Sequence, residues 1–561
     1  MELFRNGIFL ILTAVLVSCE DDRPLVSIED GLIRGTFKES FNGRKYMSFE
    51  GIPYAQPPIQ KLRFKEPEAI EPWPGVLDAT TTYTCIQIGL GGKVSGQEDC
   101  LYLNVYVPRE KLNPEEKLDV IVHIHGGAFM MGDVVYVNFN YRLGPFGFLS
   151  VGDITFHGNY GLKDQTMVLQ WVQKNIEKFG GNKNSVTIIG LSAGGASVHL
   201  HYFAEISKGL FHRGFAQSGM ALNPWVLKQD AWPSAQVVID EVGCADENIK
   251  VTYRCMKQRT GLQIAQAVQK LYKDPLLPLT PFAPTTETFI PYAFLNAAPY
   301  IHLGAKQVYD VPLLVSVTTE EGTLPAAMFY NRIDELNERW NYWLPYLLEY
   351  YFFFTNTTTT GSLTCWNTTN TTTRGNERWN YWLPYLLEYY QYDDERKDEI
   401  SAKIKEFYFK GAEKSAKLQA NATESKVYFM LMGYGGEPIA DDNNPLFVNG
   451  LGVGHGHDMK FYYDTRPLGF KEVQTEDDIR MKDMLVDMVV EFAKTGKPQI
   501  GDIEFQPVPK SGNLKYLSIK GPDDIGMKST KRLGAHEFWK SLELREDEHI
   551  YIIGEKTIEI L

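Results

Sequence analysis

The sequence predicts an α/β protein, with a central and mostly parallel β-sheet flanked by helices in a single domain. Three observations predict it. Continuous apolar runs such as Asp119–His125 read as strands buried on both faces, the usual condition in a parallel sheet. Strand-like and helix-like segments alternate along much of the chain, the order that gives parallel strands with helical crossovers. The third is Gly190-Leu191-Ser192-Ala193-Gly194, a G-x-S-x-G turn after the β-branched run Val186–Ile189 and before small residues that can open a helix.

The first residues, MELFRNGIFLILTAVLVSCEDD, have one Arg, a short apolar run from Ile8 to Val17, then small residues and acids. This is the pattern of a secretory signal peptide over residues 1–19, with the body of the protein in 20–561. The run is too short to span a bilayer, so a secreted, extracellular protein without stable membrane insertion is expected. Leu16–Cys19 also resembles a bacterial lipoprotein cleavage box, a reading that ranks second because the N-x-T sequons suggest a glycosylating host. Asn421 is the expected glycosylation site.

From Val26 to Tyr106, hairpin-like strands alternate with Pro/Gly turns and cover an edge of the molecule. Asp119–His125 then forms a core strand that ends in Gly126-Gly127-Ala128-Phe129. Consecutive small residues leave backbone N–H groups free to converge on an oxyanion. Val134–Tyr141 is the next strand. Gly161–Lys178 follows as a helix with Met167, Val168, Trp171, Val172, Ile176 and Phe179 on one face, and Phe179-Gly180-Gly181 ends it. After the serine turn, Gly214–Ser218, Pro312–Val317 and Val427–Leu431 are further strands. Asp477–Lys494 is an amphipathic helix lined by Met484, Leu485, Met488, Val489 and Phe492, and stopped by Gly496 and Pro498.

The formal charge is −14, from 56 basic and 70 acidic residues, with no basic stripe, which argues against nucleic acid as a partner. The six cysteines fit an oxidising compartment. Cys85 with Cys100, and Cys244 with Cys255, are near enough in sequence to close small loops, whereas Cys19 and Cys365 are not expected to be structural. No Cys/His spacing suggests a metal site, and no cofactor is expected. Oligomeric state is not legible.

A serine in a sharp strand–helix turn, the acid Glu321 after a later strand, and His455 in the Gly-rich run Gly452–Asp458 follow the chain order of an α/β-hydrolase triad. In that reading Ser192 attacks a carbonyl, His455 takes and returns its proton, and Glu321 orients the imidazole. The amides of Gly127, Ala128 and Ala193 would receive the oxyanion. The partner is then a small-molecule ester.

FGGNKNSVTIIGLSAG, EDCLYLNVY and GVGHGHD resemble the signatures of the type-B carboxylesterases, in the carboxylesterase/cholinesterase group, from about Val26 to near the C-terminus. The resemblance implies their fold, a Ser/Glu/His triad on the residues already named, and two short disulfide loops. It also implies that Ser218 supports the Glu–His hydrogen bond and that Trp225 walls the acyl pocket. The Cys85–Cys100 loop lacks the tryptophan that binds cationic esters in cholinesterases. Arg63-Phe64, Asp164-Gln165 and Gly452-x-x-His455-x-x-Asp458 resemble juvenile hormone esterases, which usually have Gln where this chain has Leu191. An insect-type carboxylesterase acting on apolar esters is the expected activity. The alternatives are a juvenile hormone esterase and a non-catalytic, neuroligin-like adhesion relative. Residues 337–351 recur identically at 376–390 around a Thr/Asn-rich tract, and 352–390 read as an insertion foreign to the working fold. The join Gly132-Asp133 is shorter than the family's loop there.

Overall fold

The computed structural model describes residues 22–40, 43–89, 92–130, 137–223, 225–272, 280–288, 290–321, 411–437, 453–463 and 475–533. An eleven-stranded sheet organises them. Its strands in chain order are β1 (Thr36–Glu39), β2 (Lys45–Pro53), β3 (Tyr102–Val107), β4 (Leu118–Ile124), β5 (Val137–Phe139), β6 (Gly181–Leu191), β7 (Arg213–Gln217), β8 (Leu313–Thr318), β9 (Val427–Met432), β10 (Leu514–Gly521) and β11 (Asp524–Thr530). Across the sheet they lie in the order β11-β10-β9-β8-β7-β6-β4-β5-β3-β2-β1. Every pair from β10 through β5 is parallel. The pairs at the two edges are antiparallel.

Strand alternation decides which helices cover which face. Ile188, Ala216, Val315 and Phe429 point to one core, shared with Val168 and Leu169 of α1 (Tyr160–Asn175) and Val198 and Leu200 of α2 (Ala193–His201). Their neighbours Ile189, Phe215, Leu314, Tyr428 and Met430 point to a second core, closed by Met481, Leu485, Met488 and Phe492 of α3 (Glu476–Thr495). The sheet is therefore the middle of three layers. Burying each large apolar side chain contributes about 1.5–3 kcal/mol, and both strand faces do so.

Several expected boundaries move. β6 runs the whole of Gly181–Leu191, because Gly181 rejoins Leu118 across a register shift. α1 stops at Asn175, and Ile176 and Phe179 lie in a 3-10 turn, Ile176–Phe179, that ends at Gly180 with φ 84°. Phe179 is thus buried from the turn rather than from the helix. Of Val134–Tyr141, the described strand is Val137–Phe139. α3 matches its expected face, although Met484 is only half-buried, and Gly496 adopts φ 71° at its end.

Both expected disulfides are present, Cys85–Cys100 and Cys244–Cys255. Arg63 ties their two loops together. Its Nε is 2.5 Å from Glu98, just before Cys100, and its Nη1 donates to the carbonyls of Met256, Lys257 and Arg259, just after Cys255. Among the described residues no helix is long and apolar enough to cross a membrane. The leader, Cys19, Cys365, the short Gly132-Asp133 join, the repeated block and the 352–390 insertion lie outside the described residues.

Candidate active site

Adjacent strands β4, β6, β7 and β8 end on the same edge of the sheet, and each delivers one part of the site. β6 ends at Leu191, and Ser192 stands between it and α2 with φ 60° and ψ −122°, a conformation that L-residues seldom adopt. The turn can be that sharp only without side chains beside it. A Cβ on Gly190 would lie 2.7 Å from the Ile124 carbonyl oxygen, and one on Gly194 would collide with the same oxygen. The Ser192 N–H donates to the Gln217 carbonyl at 2.8 Å, so β7 holds the turn in place.

β7 then delivers Ser218, whose N–H donates to the Ser316 carbonyl of β8 at 2.8 Å. β8 leads through Thr318 to Glu321, which is 1% exposed. The Ser218 hydroxyl and the Thr318 N–H, the latter at 2.8 Å, donate to Glu321 Oε1. Its other oxygen, Oε2, is 2.6 Å from Nδ1 of His455. Burial pushes the Glu321 carboxyl up, but the adjacent His455 charge and these hydrogen bonds outweigh it and hold the group below the usual carboxylate range. The neighbouring Glu320 turns elsewhere, accepting from the Val453 N–H at 2.8 Å and so pinning the histidine loop to the turn after β8.

His457 lies two residues beyond His455. Burial, then the charges of Lys460 and His455, lower its pKa to about 4, so it is neutral near pH 7 and does not compete as a charged group.

β4 delivers the glycine loop. Gly127, Ala128 and Phe129 have φ of 103°, 55° and 60°, a run of left-handed residues of which two carry side chains. Each such non-glycine residue costs about 1–2 kcal/mol. The loop presses on the serine turn, since a Cβ on Gly126 would sit 3.2 Å from Cβ of Ser192. The amides of Gly127, Ala128 and Ala193 donate to no group among the described residues, and Ala193 opens α2, where the positive end of the helix dipole lies. Trp225 is buried, with its ring centroid 6.4 Å from that of Phe129, and its carbonyl accepts from Thr280 at 3.0 Å.

The sequence pair Asp164-Gln165 supports this arrangement from behind, whereas Arg63 serves the two disulfide loops. Asp164 on α1 holds buried Arg142 with two oxygens, at 2.8 Å and 2.6 Å. Gln165 donates to Ser197 at 3.1 Å and lies 3.0 Å from His201, both on α2. Two participants carry no signal in the sequence, the Gln217 carbonyl and the Thr318 amide, because both act through the backbone. No group of His, Cys, Asp and Glu able to hold a metal occurs among the described residues. Asn421 is exposed.

A model of the carboxylesterase family matches residues 22–539. The chain is 34% identical to a carboxylic ester hydrolase of Bombus ignitus, over 96% of this chain and 98% of that one. It is 34% identical to venom carboxylesterase-6 of Apis mellifera with the same coverage. It is 38% identical to juvenile hormone esterase of Tribolium castaneum, over 59% of this chain and 62% of that one. The crystal structure of juvenile hormone esterase from Manduca sexta superposes with a TM-score of 0.77 at 24% identity, covering 94% of this chain and 100% of that one, and shares the α/β-hydrolase fold.

Proposed function

The chain belongs to the carboxylesterase family, and on that premise we propose that it hydrolyses apolar carboxylic esters through an acyl intermediate on Ser192. The observation that carries the reading is the bond from His455 to a buried carboxylate whose strand lies two places from the one that ends at Ser192. His455 takes the Ser192 hydroxyl proton as Oγ bonds to the ester carbonyl carbon, and the paired electrons move onto the carbonyl oxygen. Glu321 holds the Nδ1–H and stabilises the imidazolium, while Ser218 and Thr318 keep Glu321 aimed.

The amides of Gly127, Ala128 and Ala193 receive the oxyanion. A donor of this kind is worth about 2.7–4 kcal/mol in comparable enzymes, and holding it ready is a reason for the loop to keep its strained backbone. His455 then protonates the departing alcohol, and water repeats the sequence on the acyl-serine. Apart from the hydrolytic water, every step uses side chains and amides of this chain.

Trp225 walls the acyl side in this reading. Export through the secretory pathway follows from the leader, the two disulfides and the exposed Asn421 sequon. A second reading, hydrolysis of a juvenile hormone, is favoured by the 38% identity to the Tribolium castaneum enzyme. Steady-state rates on p-nitrophenyl esters of increasing acyl length, with a juvenile hormone included, test both. Turnover across the simple esters supports the general esterase, and turnover confined to the hormone supports the second reading. No turnover of any ester would contradict the proposal.

A further inference from the structure

Asp458 has no part in that scheme, yet it sits beside its centre. It is 1% exposed, in the 3-10 turn His457–Phe461 that follows the histidine loop. Neither of its carboxylate oxygens meets a donor from another residue. Buried polar groups almost always have partners, and an ionised carboxylate without one is costly. The titratable groups acting on it are Glu321 from the turn after β8, His455 from its own loop, and Tyr462 from the end of the same turn. Lys460, a cation on that turn, is directed elsewhere: it donates to the Glu437 carbonyl at 2.9 Å and lies 3.4 Å from Asp478 on α3. From β6, Leu191 reaches this loop at Gly456 with only apolar atoms.

We infer that Asp458 is a positioning residue for ester hydrolysis, a buried acid without a donor from any other described residue that sets the charge around the His455–Glu321 pair. The inference rests on the reading of Ser192, His455 and Glu321 given above. Burial, and then the Glu321 charge, raise the Asp458 pKa to about 7, so the group changes charge near neutrality. When neutral it adds nothing to the field at His455. When ionised it favours positive charge on the imidazole, the charge that develops as His455 takes the serine proton.

The two ionisations are coupled, which gives the inference a quantitative form. At acid pH the free enzyme and the transition state contain the same neutral Asp458, so its removal changes nothing. At alkaline pH the transition state alone contains an imidazolium beside ionised Asp458, and the plateau of kcat/KM rises by the coupling factor. The acid limb of the profile moves up by the logarithm of that same factor.

The test is kcat/KM for p-nitrophenyl acetate between pH 5.5 and 9, on the full chain and on Asp458→Asn, each normalised to sites titrated by an organophosphate. The expected profiles coincide at the acid end, and Asp458→Asn falls about 3–10-fold behind at pH 8.5, with its acid limb lower by about 0.5–1 pH unit. Asp458→Glu is expected to keep the rising profile. A ratio independent of pH, whether near one or far from it, overturns the inference. Should Asp458→Asn not fold, infrared titration of the wild-type enzyme replaces it. A protonated carboxyl that disappears between pH 6 and 8 supports the inference, and its absence overturns it. A wild-type protein that neither hydrolyses esters nor reacts with the organophosphate counts against the proposed function instead.

Discussion

Glu321 Oε2 lies 2.6 Å from His455 Nδ1, and the carboxylate making that contact is closed off from solvent. Glu320, its neighbour, binds the backbone of the same histidine loop without touching the imidazole. Glu321→Gln is therefore expected to lower kcat by about 10⁴, the cost of losing the oriented tautomer in a comparable triad. Glu320→Gln should cost far less, because it keeps one acceptor for the Val453 amide. Parallel kcat measurements on the two variants check the assignment, and a crippled Glu320→Gln beside a near-normal Glu321→Gln would reverse it.

Ser218 donates to the carboxylate oxygen that faces away from His455. Removing a hydrogen bond to a charged group costs about 1.5–3 kcal/mol, part of which the Thr318 amide retains. Ser218→Ala is accordingly expected to lower kcat by about tenfold with little change in KM. A large rise in KM at constant kcat would mean that Ser218 serves binding rather than the imidazole.

Trp225 packs beside Phe129 of the glycine loop. Trimming it should enlarge the space for the acyl group next to the reacting carbonyl. Trp225→Leu is expected to raise kcat/KM for a bulky acyl ester over the acetate ester by about tenfold relative to wild type. An unchanged ratio would put Trp225 outside the pocket.

His157 is buried between two carboxylates, with Nδ1 3.1 Å from Glu287 and Nε2 3.1 Å from Glu66, while Lys163 bridges the same pair. Burial pushes its pKa down, but the hydrogen bonds to Glu287 and Glu66 win and the pKa is raised. A raised folded-state value means that stability is fully present below the unfolded value of about 6.5 and is lost as pH rises through the folded value. Glu287 has the opposite sign: its lowered pKa stabilises above the usual carboxylate value and fades as pH falls. Both contributions are present near pH 5.5–6. The melting-temperature gap between wild type and His157→Gln should thus be largest there and shrink by pH 8.5. A gap constant over that range would mean that His157 carries no extra proton in the folded state.

The elbow was legible because its constraint is local. Gly190 and Gly194 are dictated by backbones that nearly touch, and a five-residue pattern records that. Glu321 was legible through chain order, and His455 through chain order together with the resemblance of GVGHGHD to a family signature, since the chemistry of the flanking residues marks neither as reactive. The cluster of His157, Lys163, Glu66 and Glu287 was not legible, because ion pairs between distant segments leave no period in the sequence. Strand ends moved for a similar reason: Gly181 belongs to β6 through its pairing with Leu118, and its local composition reads as a turn. The three-layer order followed from the apolar runs, whereas the antiparallel edges depended on which strands meet in space.

The central claim is that Ser192 forms the covalent intermediate, and the most direct measurement is the site and stoichiometry of organophosphate labelling. Intact-mass and peptide mass spectrometry should find one adduct per chain, on Ser192, formed in step with loss of p-nitrophenyl ester turnover. Ser192→Ala should fold, take up no label and show no turnover. A label on another residue, or ester hydrolysis that survives in Ser192→Ala, would contradict the account.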